Sequence, residues 1–262
     1  MLTNKQISDY WENGYSFPYT AFSEEQSQEY FNKFLELEEE FGAYHVRNEI
    51  NFKTHTILEW CQEIVQTPKV LDYVESLIGP NIICWSSTFF IKSPNRQEFT
   101  SFHQDDRYFR PSESDKTVSI WLGLNNSNID TGCMQYVPGV QEELPHAHTK
   151  HKNNLLPRGQ TVQDVDEATI VNAELRPGQF SIHDLRTLHG SGINKTDQYR
   201  IGYVIRYGTP DLKIGMFGKP SALLCRGEMT CPEYWDKDPE PQVPYDPVGL
   251  KKVAEVMQDF RK

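Results

Sequence analysis

Residues 176–207 read RPGQFSIHDLRTLHGSGINKTDQYRIGYVIRY, and this stretch decides which class of fold the chain can adopt. Within it, residues 179–183 and 199–207 are rich in β-branched and aromatic side chains, which favours β-strands. The turn-forming clusters RPG at 176–178 and NKTDQ at 194–198 bound these two segments. The stretch therefore predicts two short strands that are connected through turns.

The same pattern recurs earlier in the chain. Further strands are predicted over residues 81–92, 117–126, 133–138 and 169–175. Short strands that alternate with turn clusters are typical of a β-sandwich or a barrel. We therefore expect a β-rich core over residues 81–210.

The first 80 residues are predicted to be mainly helical. Thr3 and Gln6 match the capping box that begins many helices, and Ser23 and Gln26 repeat this pattern. Four helices are predicted, over residues 3–14, 23–42, 55–66 and 68–79. The fold class that follows is mainly β with N-terminal helices.

Two segments differ in composition from these predicted elements. Residues 141–168 are polar and mixed, which predicts a long loop inserted into the core, and residues 232–247 contain five prolines, which predicts an extended segment. A last helix is expected near residues 248–260. The length of 262 residues agrees with one domain. Its predicted parts are a helical part (1–80), a core (81–210) and a C-terminal wrap with a helix (211–262).

The composition argues against several kinds of partner. The net charge is -11 and the pI is near 5.2, and we find no basic stripe of the kind that binds nucleic acid. The five cysteines are odd in number and form no CxxC motif, which favours free thiols in a reducing compartment. The N-terminus is polar, and no apolar run reaches the roughly 18 residues of a membrane span. We therefore expect a soluble, cytoplasmic protein that binds neither nucleic acid nor a membrane.

Two histidines and one aspartate are the candidate metal ligands. In SFHQDDRYF (101–109), His103 and Asp105 form an H-x-D pair, and residues i and i+2 of a strand point to the same face. His189, in the segment LHGSG, is the candidate third ligand from a distant strand. Two histidines and one carboxylate on one side of a metal form the facial triad of non-haem iron(II) oxygenases. By itself the H-x-D pair fits a surface turn equally well, and His183 is an alternative to His189.

Arg200 is the candidate anchor for a carboxylate ligand. It follows His189 by 11 residues, on a predicted strand that can pair back beside His189. The guanidinium fork of an arginine binds a carboxylate through two parallel hydrogen bonds, whereas a lysine supplies only a point charge.

Three more histidines lie in PHAHTKH, residues 145–151. An H-x-H pair can bind zinc, but no cysteine or acidic residue stands at ligand spacing from it. We therefore favour a solvated loop over a second metal site for this segment.

Taken in order, these motifs resemble those of the phytanoyl-CoA dioxygenase family of iron(II)- and 2-oxoglutarate-dependent oxygenases. FHQDD at 102–106 resembles the family's H-Q-D segment, and TGCMQYVPG at 131–139 resembles its N-G-C-x-x-x-x-P-G segment. Residues 176–207 resemble its distal block, which includes H-G-S-x-x-N and an arginine 11 residues after the histidine. The resemblance runs from about residue 3 to about residue 230.

The resemblance implies a double-stranded β-helix core, the jelly-roll fold that is also called cupin-like. It implies that His103, Asp105 and His189 bind iron(II), and that 2-oxoglutarate and O₂ are co-reactants. Five residues are implied to surround the cosubstrate, namely Arg200 and Ser191 at its far carboxylate, with Trp121, Lys92 and Gln104 nearby. Halogenating members of the superfamily have a small residue in place of the aspartate, so Asp105 favours oxygen transfer.

The implied reaction is hydroxylation of an unactivated C–H bond in a small polar molecule, coupled to decarboxylation of 2-oxoglutarate to succinate. Alternatives are desaturation, cyclisation or dealkylation by the same chemistry, or a non-catalytic cupin-like protein that binds a metal or a ligand. Arg107, Tyr108 and Asn51 are the candidate substrate contacts. The charged residues around the H-x-D pair favour a polar or zwitterionic substrate, and the oligomeric state is left open.

Overall fold

The computed structural model describes residues 1–156, 158–215 and 220–260. The N-terminal part contains α1 (Asn4–Asn13), β1 (Tyr15–Thr20), α2 (Glu24–Phe41), α3 (Ala43–Asn48), α4 (Glu59–Val65) and α5 (Pro68–Ile78). The middle part contains β2 (Ile82–Lys92), β3 (Thr100–His103), α6 (Asp106–Phe109), β4 (Thr117–Gly123), β5 (Met134–Tyr136), β6 (Ala147–His148), β7 (Gln160–Thr161), β8 (Val171–Ala173), β9 (Gln179–His183), β10 (His189–Ser191) and β11 (Arg200–Gly208). The C-terminal part adds β12 (Ser221–Arg226), β13 (Asp236–Lys237) and α7 (Pro247–Phe260).

Two sheets form the core. The major sheet has seven strands in the order β1-β9-β4-β11-β2-β12-β13, and the minor sheet has four in the order β3-β10-β5-β8. Neighbouring strands are antiparallel except for β12 and β13. The sheets face each other across a cavity to which both contribute side chains, and they do not close into a barrel. This arrangement confirms the predicted jelly-roll core.

The central strand β11 builds both faces of the major sheet, because successive side chains of a strand point to opposite sides. Its odd-numbered residues pack into the hydrophobic core: Ile201, Tyr203, Ile205 and Tyr207. Arg200, Val204 and Arg206 point the other way and line the cavity. One strand therefore supplies apolar support on one face and charged groups on the other.

The N-terminal helices cover the outer face of the major sheet. Phe34 of α2, Ile64 of α4 and Val74 of α5 are fully buried in the same hydrophobic cluster as β11. The ring of Phe34 meets that of Phe89 on β2 at 5.1 Å and 64°, an edge-to-face contact. Since the helices close this face to solvent, the opposite face is the one that is left for a cavity.

The predicted helices are confirmed, except that one of them is divided into two short helices. Thr3 and Gln6 form the capping box of α1, and Gly14 ends the helix in the left-handed conformation at φ 85°. The segment 55–66 forms a short 3₁₀ helix (Thr54–Thr56) and then α4 instead of one helix. No helix among the described residues has the length and hydrophobicity of a transmembrane span.

Sequence analysis misses three strands of the major sheet, namely β1, β12 and the two-residue β13. β1 contains Pro18 and lies at the edge of the sheet, which is where a strand tolerates the missing N–H of proline. β12 pairs with β2 on the side opposite to β11. The expectation that strands come from residues 81–210 alone is therefore wrong, because both terminal parts contribute strands to the core.

The segment 141–168 is mostly loop, as predicted. It also contains the short ladder between β6 and β7 and a 3₁₀ turn at Glu167–Thr169, and its residue 157 lies outside the described part. The N–H groups of Leu155 and Val162 donate to the carbonyls of Phe99 and Phe102, at 2.9 and 2.7 Å. These bonds fasten the loop along β3.

A buried ion pair connects the N-terminal part with the C-terminal part behind the major sheet. Lys53 Nζ lies 2.8 Å from Asp238 Oδ2, and both side chains are almost completely buried. Lys53 also donates to the carbonyls of Trp85 and Ser221. Burial opposes ionisation of Asp238, but Lys53 and His55 outweigh it and lower the pKa of Asp238 to about 2. Asp238 therefore remains ionised at neutral pH.

We expect Asp238→Ala to destabilise the protein strongly, because it leaves the Lys53 ammonium buried without a counter-charge. Removing one partner of a buried ion pair costs about 3–5 kcal/mol. The free energy of unfolding from urea titration measures the loss. Asp211→Ala is the control, since its pair with Lys116 is exposed and such pairs contribute about 0–1 kcal/mol. Equal effects of the two substitutions would contradict the role of Asp238.

Candidate metal centre

The empty space between the sheets, including the open mouth of the cavity, is about 350 Å³. The major sheet contributes Phe90, Trp121, His183, Arg200, Val204 and Arg206. The minor sheet and the residues just after β3 contribute Thr100, His103, Asp105, Met134, His189 and Ser191. Its lining thus combines apolar walls with a small number of charged and imidazole groups.

Three of these side chains converge on one point. One potential ligand atom each of His103, Asp105 and His189 lies within 4.8 Å of the others. β3 and β10 are antiparallel neighbours, and His103 and His189 are directly opposite each other in the register. The centroids of their rings are 4.2 Å apart, and His103 Nε2 is 3.5 Å from Asp105 Oδ1. Two imidazoles and one carboxylate at these separations fit a single divalent metal ion.

The chain brings Asp105 to the site by a turn, which differs from the expectation for a strand. β3 ends at His103, and Asp105 adopts helical dihedral angles (φ -66°, ψ -31°) immediately before α6. The i, i+2 argument for a continuous strand is therefore wrong here, although both side chains still reach the same point.

Backbone carbonyls orient both imidazoles. His103 Nδ1 donates to the carbonyl of Ser101 at 2.9 Å, and His189 Nδ1 donates to that of Thr187 at 2.8 Å. Each bond places the proton on Nδ1 and leaves the lone pair of Nε2 available to a metal. Burial, followed by the neighbouring His103 and His183 rings, lowers the pKa of His189 well below its ordinary value. A neutral imidazole is the form that binds metals.

Arg206 holds the carboxylate of Asp105, a contact that sequence analysis misses. Arg206 Nε and Nη2 donate to Asp105 Oδ2 at 3.1 and 2.7 Å. Burial opposes ionisation, but Arg206 and the two imidazoles keep the pKa of Asp105 well below its usual range. The one available signal was the even spacing between Arg200 and Arg206, which places both on the same face of a strand.

A buried arginine, Arg200, lies at the other end of the cavity. Arg200 is 1% exposed, its guanidinium carbon lies 5.2 Å from the Trp121 ring, and its Nη1 donates to the Phe90 carbonyl at 3.2 Å. Its Nε is buried without a hydrogen-bond partner, and burial lowers the pKa of Arg200 to about 9. Neither Arg200 nor Lys92 forms an ion pair within the described part of the chain. The charge of Arg200 and its Nε–H group are therefore not satisfied by any described residue.

Arg200 and His189 are not on neighbouring strands, which corrects the expected pairing. Arg200 begins β11 in the major sheet, directly opposite Lys92 on β2, whereas His189 lies on β10 in the minor sheet. The two side chains face each other across the cavity. The distance between the sheets, which the sequence does not contain, determines this arrangement.

Lys92 reaches Ser191 across the sheets. Its Nζ donates to Ser191 Oγ at 2.7 Å, to the Gly132 carbonyl at 3.1 Å and to the Gly192 carbonyl. Burial, together with the charge of Arg200, lowers the pKa of Lys92 to about 5. Lys92 is therefore in contact with Ser191, one of the cavity residues, without lining the cavity itself.

Trp121 rests directly on the backbone of β11. An ideal Cβ on Gly202 would lie 2.0 Å from the Trp121 ring, so only glycine leaves space for the indole at this position. Trp121 Nε1 is buried and has no hydrogen-bond partner in the described structure. The predicted position of Trp121 beside Arg200 is thus a consequence of the missing side chain at Gly202.

Gln104 lies outside the cavity despite its place in the H-x-D motif. Its amide nitrogen donates to the carbonyls of Glu142 and Arg186 at 2.6 and 2.7 Å, and its amide oxygen accepts from Leu144 N–H at 3.0 Å. The Gln104 backbone N–H donates to His146 Nε2 at 3.0 Å, and His146 is half-buried. Gln104 thus fastens the loop, in which His146 is half-buried whereas His148 and His151 are exposed.

The three candidate substrate residues are not brought to the cavity. The amide of Asn51 pairs with the backbone of Phe89 at 2.8 and 2.7 Å. Arg107 forms an ion pair with Glu143, and the side chains of both are well exposed. Tyr108 is partly buried, with the guanidinium of Arg158 5.0 Å from its ring. None of these three side chains is therefore among those that line the cavity.

His183, the alternative ligand, lines the cavity but does not belong to the converging group. Its ring is 4.8 Å from that of His189, and its Nδ1 lies 3.2 Å from the hydroxyl of Tyr136. Burial lowers the pKa of His183 to about 3, so the ring is neutral. The geometry therefore favours His189 as the third ligand.

The fold and the site define a class: a jelly-roll protein with a cavity that holds two histidines and one carboxylate for a metal. Within this class, the chain belongs to the phytanoyl-CoA dioxygenase (PhyH) family, whose sequence model matches residues 10–202. The human peroxisomal phytanoyl-CoA dioxygenase is 29% identical over 150 residues, which are 55% of this chain and 44% of that protein. The chain thus spans about half the length of the phytanoyl-CoA dioxygenases that it matches.

Three further similarities extend over a larger share of the relative's length than the matches to the phytanoyl-CoA dioxygenases do. A probable alpha-ketoglutarate-dependent hypophosphite dioxygenase from Stutzerimonas stutzeri is 26% identical over 184 residues, 67% of this chain and 64% of that protein. The structure of the non-heme monooxygenase ThoJ superimposes with a TM-score of 0.83 at 27% identity, covering 98% of this chain and 96% of ThoJ. The structure of CytC3 with Fe(II) and alpha-ketoglutarate, at 22% identity, 88% and 90% coverage and a TM-score of 0.64, shows the same fold.

We expect Asp105→Ala to abolish tight metal binding, because it removes the only anionic group of the converging set. Isothermal titration calorimetry should show an affinity for Co(II) at least about tenfold lower than that of the wild-type protein. Asp106→Ala removes the neighbouring carboxylate and should leave the affinity unchanged. Equal metal binding by wild-type protein and Asp105→Ala would remove Asp105 from the site.

Gly202→Ala should displace Trp121, because the new methyl group and the indole cannot occupy the same space. We expect a loss of about 1–3 kcal/mol in the free energy of unfolding and a change in tryptophan fluorescence. Gly192→Ala is the matched control, since a Cβ at Gly192 meets no atom within 4 Å. A Gly202→Ala protein with the stability and fluorescence of the control would show that Trp121 does not depend on this contact.

Proposed function

We propose that this protein is an iron(II)- and 2-oxoglutarate-dependent dioxygenase that hydroxylates an unactivated C–H bond of a small polar molecule. The observation that carries the proposal is one cavity with a facial set of His103, Asp105 and His189 at one end and a buried, unpaired arginine at the other. Iron(II) and the oxo-acid, when bound, would supply the oxidising chemistry and yield succinate and CO₂. The chain's residues supply binding and orientation.

The donor set fits iron(II). Two neutral imidazoles and one carboxylate on one side of a metal leave the remaining coordination positions open, as an iron oxygenase requires. The Nδ1 bonds to Ser101 and Thr187 prevent rotation of the two rings, so both Nε2 atoms stay directed to one point. Asp105 occupies the position of a ligand, which favours oxygen transfer over halogenation.

The opposite end fits the far carboxylate of 2-oxoglutarate. Arg200 has an unsatisfied Nε, no ion-pair partner among the described residues, and Ser191 and Trp121 beside it on the cavity wall. A carboxylate here would accept the charge-assisted hydrogen bonds that Arg200 now lacks. Lys92 positions Ser191 through the bond between Nζ and Oγ. We assign Arg200 and Ser191 to the cosubstrate carboxylate, and Trp121 and Lys92 to the support of that end.

Relatives support this assignment. One of them is named an alpha-ketoglutarate-dependent dioxygenase and several are named phytanoyl-CoA dioxygenases. The carboxylate in the triad and Arg200, which has no ion-pair partner among the described residues, argue against a non-catalytic cupin-like protein. Desaturation, cyclisation and dealkylation use the same residues, and the placement of the substrate decides between them. Elements from both ends of the chain join the same sheets, which supports one domain, and the cysteines are free thiols, which supports a cytoplasmic location.

We expect Arg200→Gln to raise the 2-oxoglutarate concentration needed for half-saturation at least about tenfold, because charge-assisted hydrogen bonds contribute about 1.5–3 kcal/mol. Anaerobic addition of iron(II) and 2-oxoglutarate, followed by the charge-transfer absorption of the chelate, measures this requirement. Iron affinity should stay within about twofold of wild type.

Arg176→Gln, in an exposed turn, is the charge-matched control for this measurement. An unchanged 2-oxoglutarate requirement in Arg200→Gln would contradict the role of Arg200. The absence of the absorption band from the wild-type protein, together with no succinate release under O₂, would overturn the proposed function as a whole.

A further inference from the structure

β11 presents two arginines to the same cavity. Arg200 and Arg206 lie at opposite ends of its inner face, with Val204 between them on the cavity wall. Six residues of an extended strand span roughly 20 Å, so the two guanidinium groups serve different parts of the cavity. The proposed function uses Arg200, and it leaves open what Arg206 contributes besides holding Asp105.

The metal ligands lie at the Arg206 end. Arg206 donates to Asp105 Oδ2, whereas Arg200 stands opposite Lys92 at the other end of the strand pair. An oxo-diacid that reaches from Arg200 to the metal occupies the space between them. Arg206 then lies beyond the metal, on the side that remains for a second reactant.

Arg206 has hydrogen-bonding capacity left. Its bonds to Asp105 use Nε and one proton of Nη2, and Nη1 makes no hydrogen bond within the described part of the chain. The Phe109 ring lies 4.4 Å from the guanidinium carbon and covers one face of the group. The edge formed by Nη1 and Nη2 is therefore available, and such an edge matches two oxygen atoms on one centre.

The charges of the loaded site point to the same kind of ligand. A divalent metal and a dianionic cosubstrate neutralise each other, and Asp105 neutralises one arginine. One arginine charge is left over in a cavity where Arg200 and Arg206 are 1% and 6% exposed. Burying an uncompensated charge is unfavourable, so a ligand with one negative charge fits better than a neutral one.

We propose that the primary substrate is a small oxyanion-bearing molecule whose anionic group binds the outer edge of Arg206, beside the metal. This inference rests on the proposed function, because the charge count includes the metal and the cosubstrate. Carboxylates and small phosphorus oxyanions share the required pair of oxygen atoms. Arg206 contacts the candidate metal ligand Asp105 directly, so an anionic group on Arg206 lies close to the metal. The substrate bond that is oxidised then lies within a few atoms of this anionic group.

Fluorine NMR on the cobalt-loaded protein tests this proposal. Protein with Co(II) and excess 2-oxoglutarate is mixed with fluoroacetate, monofluorophosphate or fluoroacetamide, and the paramagnetic broadening of each ¹⁹F signal is measured. Fluoroacetamide is the neutral counterpart of fluoroacetate, and monofluorophosphate separates phosphorus oxyanions from carboxylates. The same samples with Zn(II) supply the diamagnetic baseline, and the 2-oxoglutarate absorption band with iron(II) verifies the loaded site.

We expect at least one of the two anions to be broadened about tenfold more than fluoroacetamide. Arg206→Gln should remove this difference, Arg206→Lys should retain part of it because it keeps the charge but not the fork, and Arg176→Gln should keep all of it. Where Arg206→Gln fails to hold Co(II), the Arg206→Lys protein decides, and a broadening equal to wild type would overturn the proposal.

Two results would overturn the anion site while leaving the proposed function intact. One is equal broadening by fluoroacetamide and both anions in the wild-type protein. The other is undiminished anion broadening in Arg206→Gln with a normal iron and 2-oxoglutarate band, which would restrict Arg206 to positioning Asp105. Failure of the band in the wild-type protein would instead overturn the proposed function.

Discussion

A charge that is removed from water must be paired or neutralised, and this constraint organises the interior of the protein. Behind the major sheet, Lys53 and Asp238 satisfy it with each other and connect the two ends of the chain. In the cavity, Asp105 and Arg206 satisfy it, so the carboxylate can stay ionised while it is buried. Neither Arg200 nor Lys92 has a counter-charge among the described residues, and burial together with the charge of Arg200 lowers the pKa of Lys92 to about 5. The buried guanidinium of Arg200 is therefore where we propose that an anionic ligand binds.

The geometry of the major sheet directs the two charged arginines of β11 into the cavity. Because the helices pack on its outer face, the alternation along β11 puts tyrosines and isoleucines on one side and both arginines on the other. Gly202 interrupts the inner row and admits the Trp121 indole beside Arg200. The minor sheet brings His103 and His189 into register opposite this row. The two arginines and the two candidate histidine ligands of the cavity therefore lie on strands, whereas Asp105 lies in a turn.

Local patterns identify most of the elements but few of the contacts between sheets. The capping box at Thr3 and the glycine at position 14 are local devices, and α1 has the predicted bounds. β1 contains a proline, and only its pairing with β9 at the sheet edge makes it a strand. The 55–66 segment divides into two short helices. The intrinsic propensity of a segment limits the conformations that it tolerates. Its contacts with neighbouring segments decide which of these conformations it adopts.

The sequence by itself determined the candidate metal-binding set, because ligand chemistry requires particular residue types, and it contains H-x-D and H-G-S segments in the order of the family. It also determined the jelly-roll class and identified Arg200 as the candidate carboxylate anchor. Only the tertiary structure decided that Arg206 donates hydrogen bonds to Asp105 and that Gln104 binds the 141–168 loop. It also decided that Asn51 and Arg107 lie outside the cavity. The physical reason is that these contacts join residues far apart in the chain, and their existence depends on the spacing and register of two packed sheets.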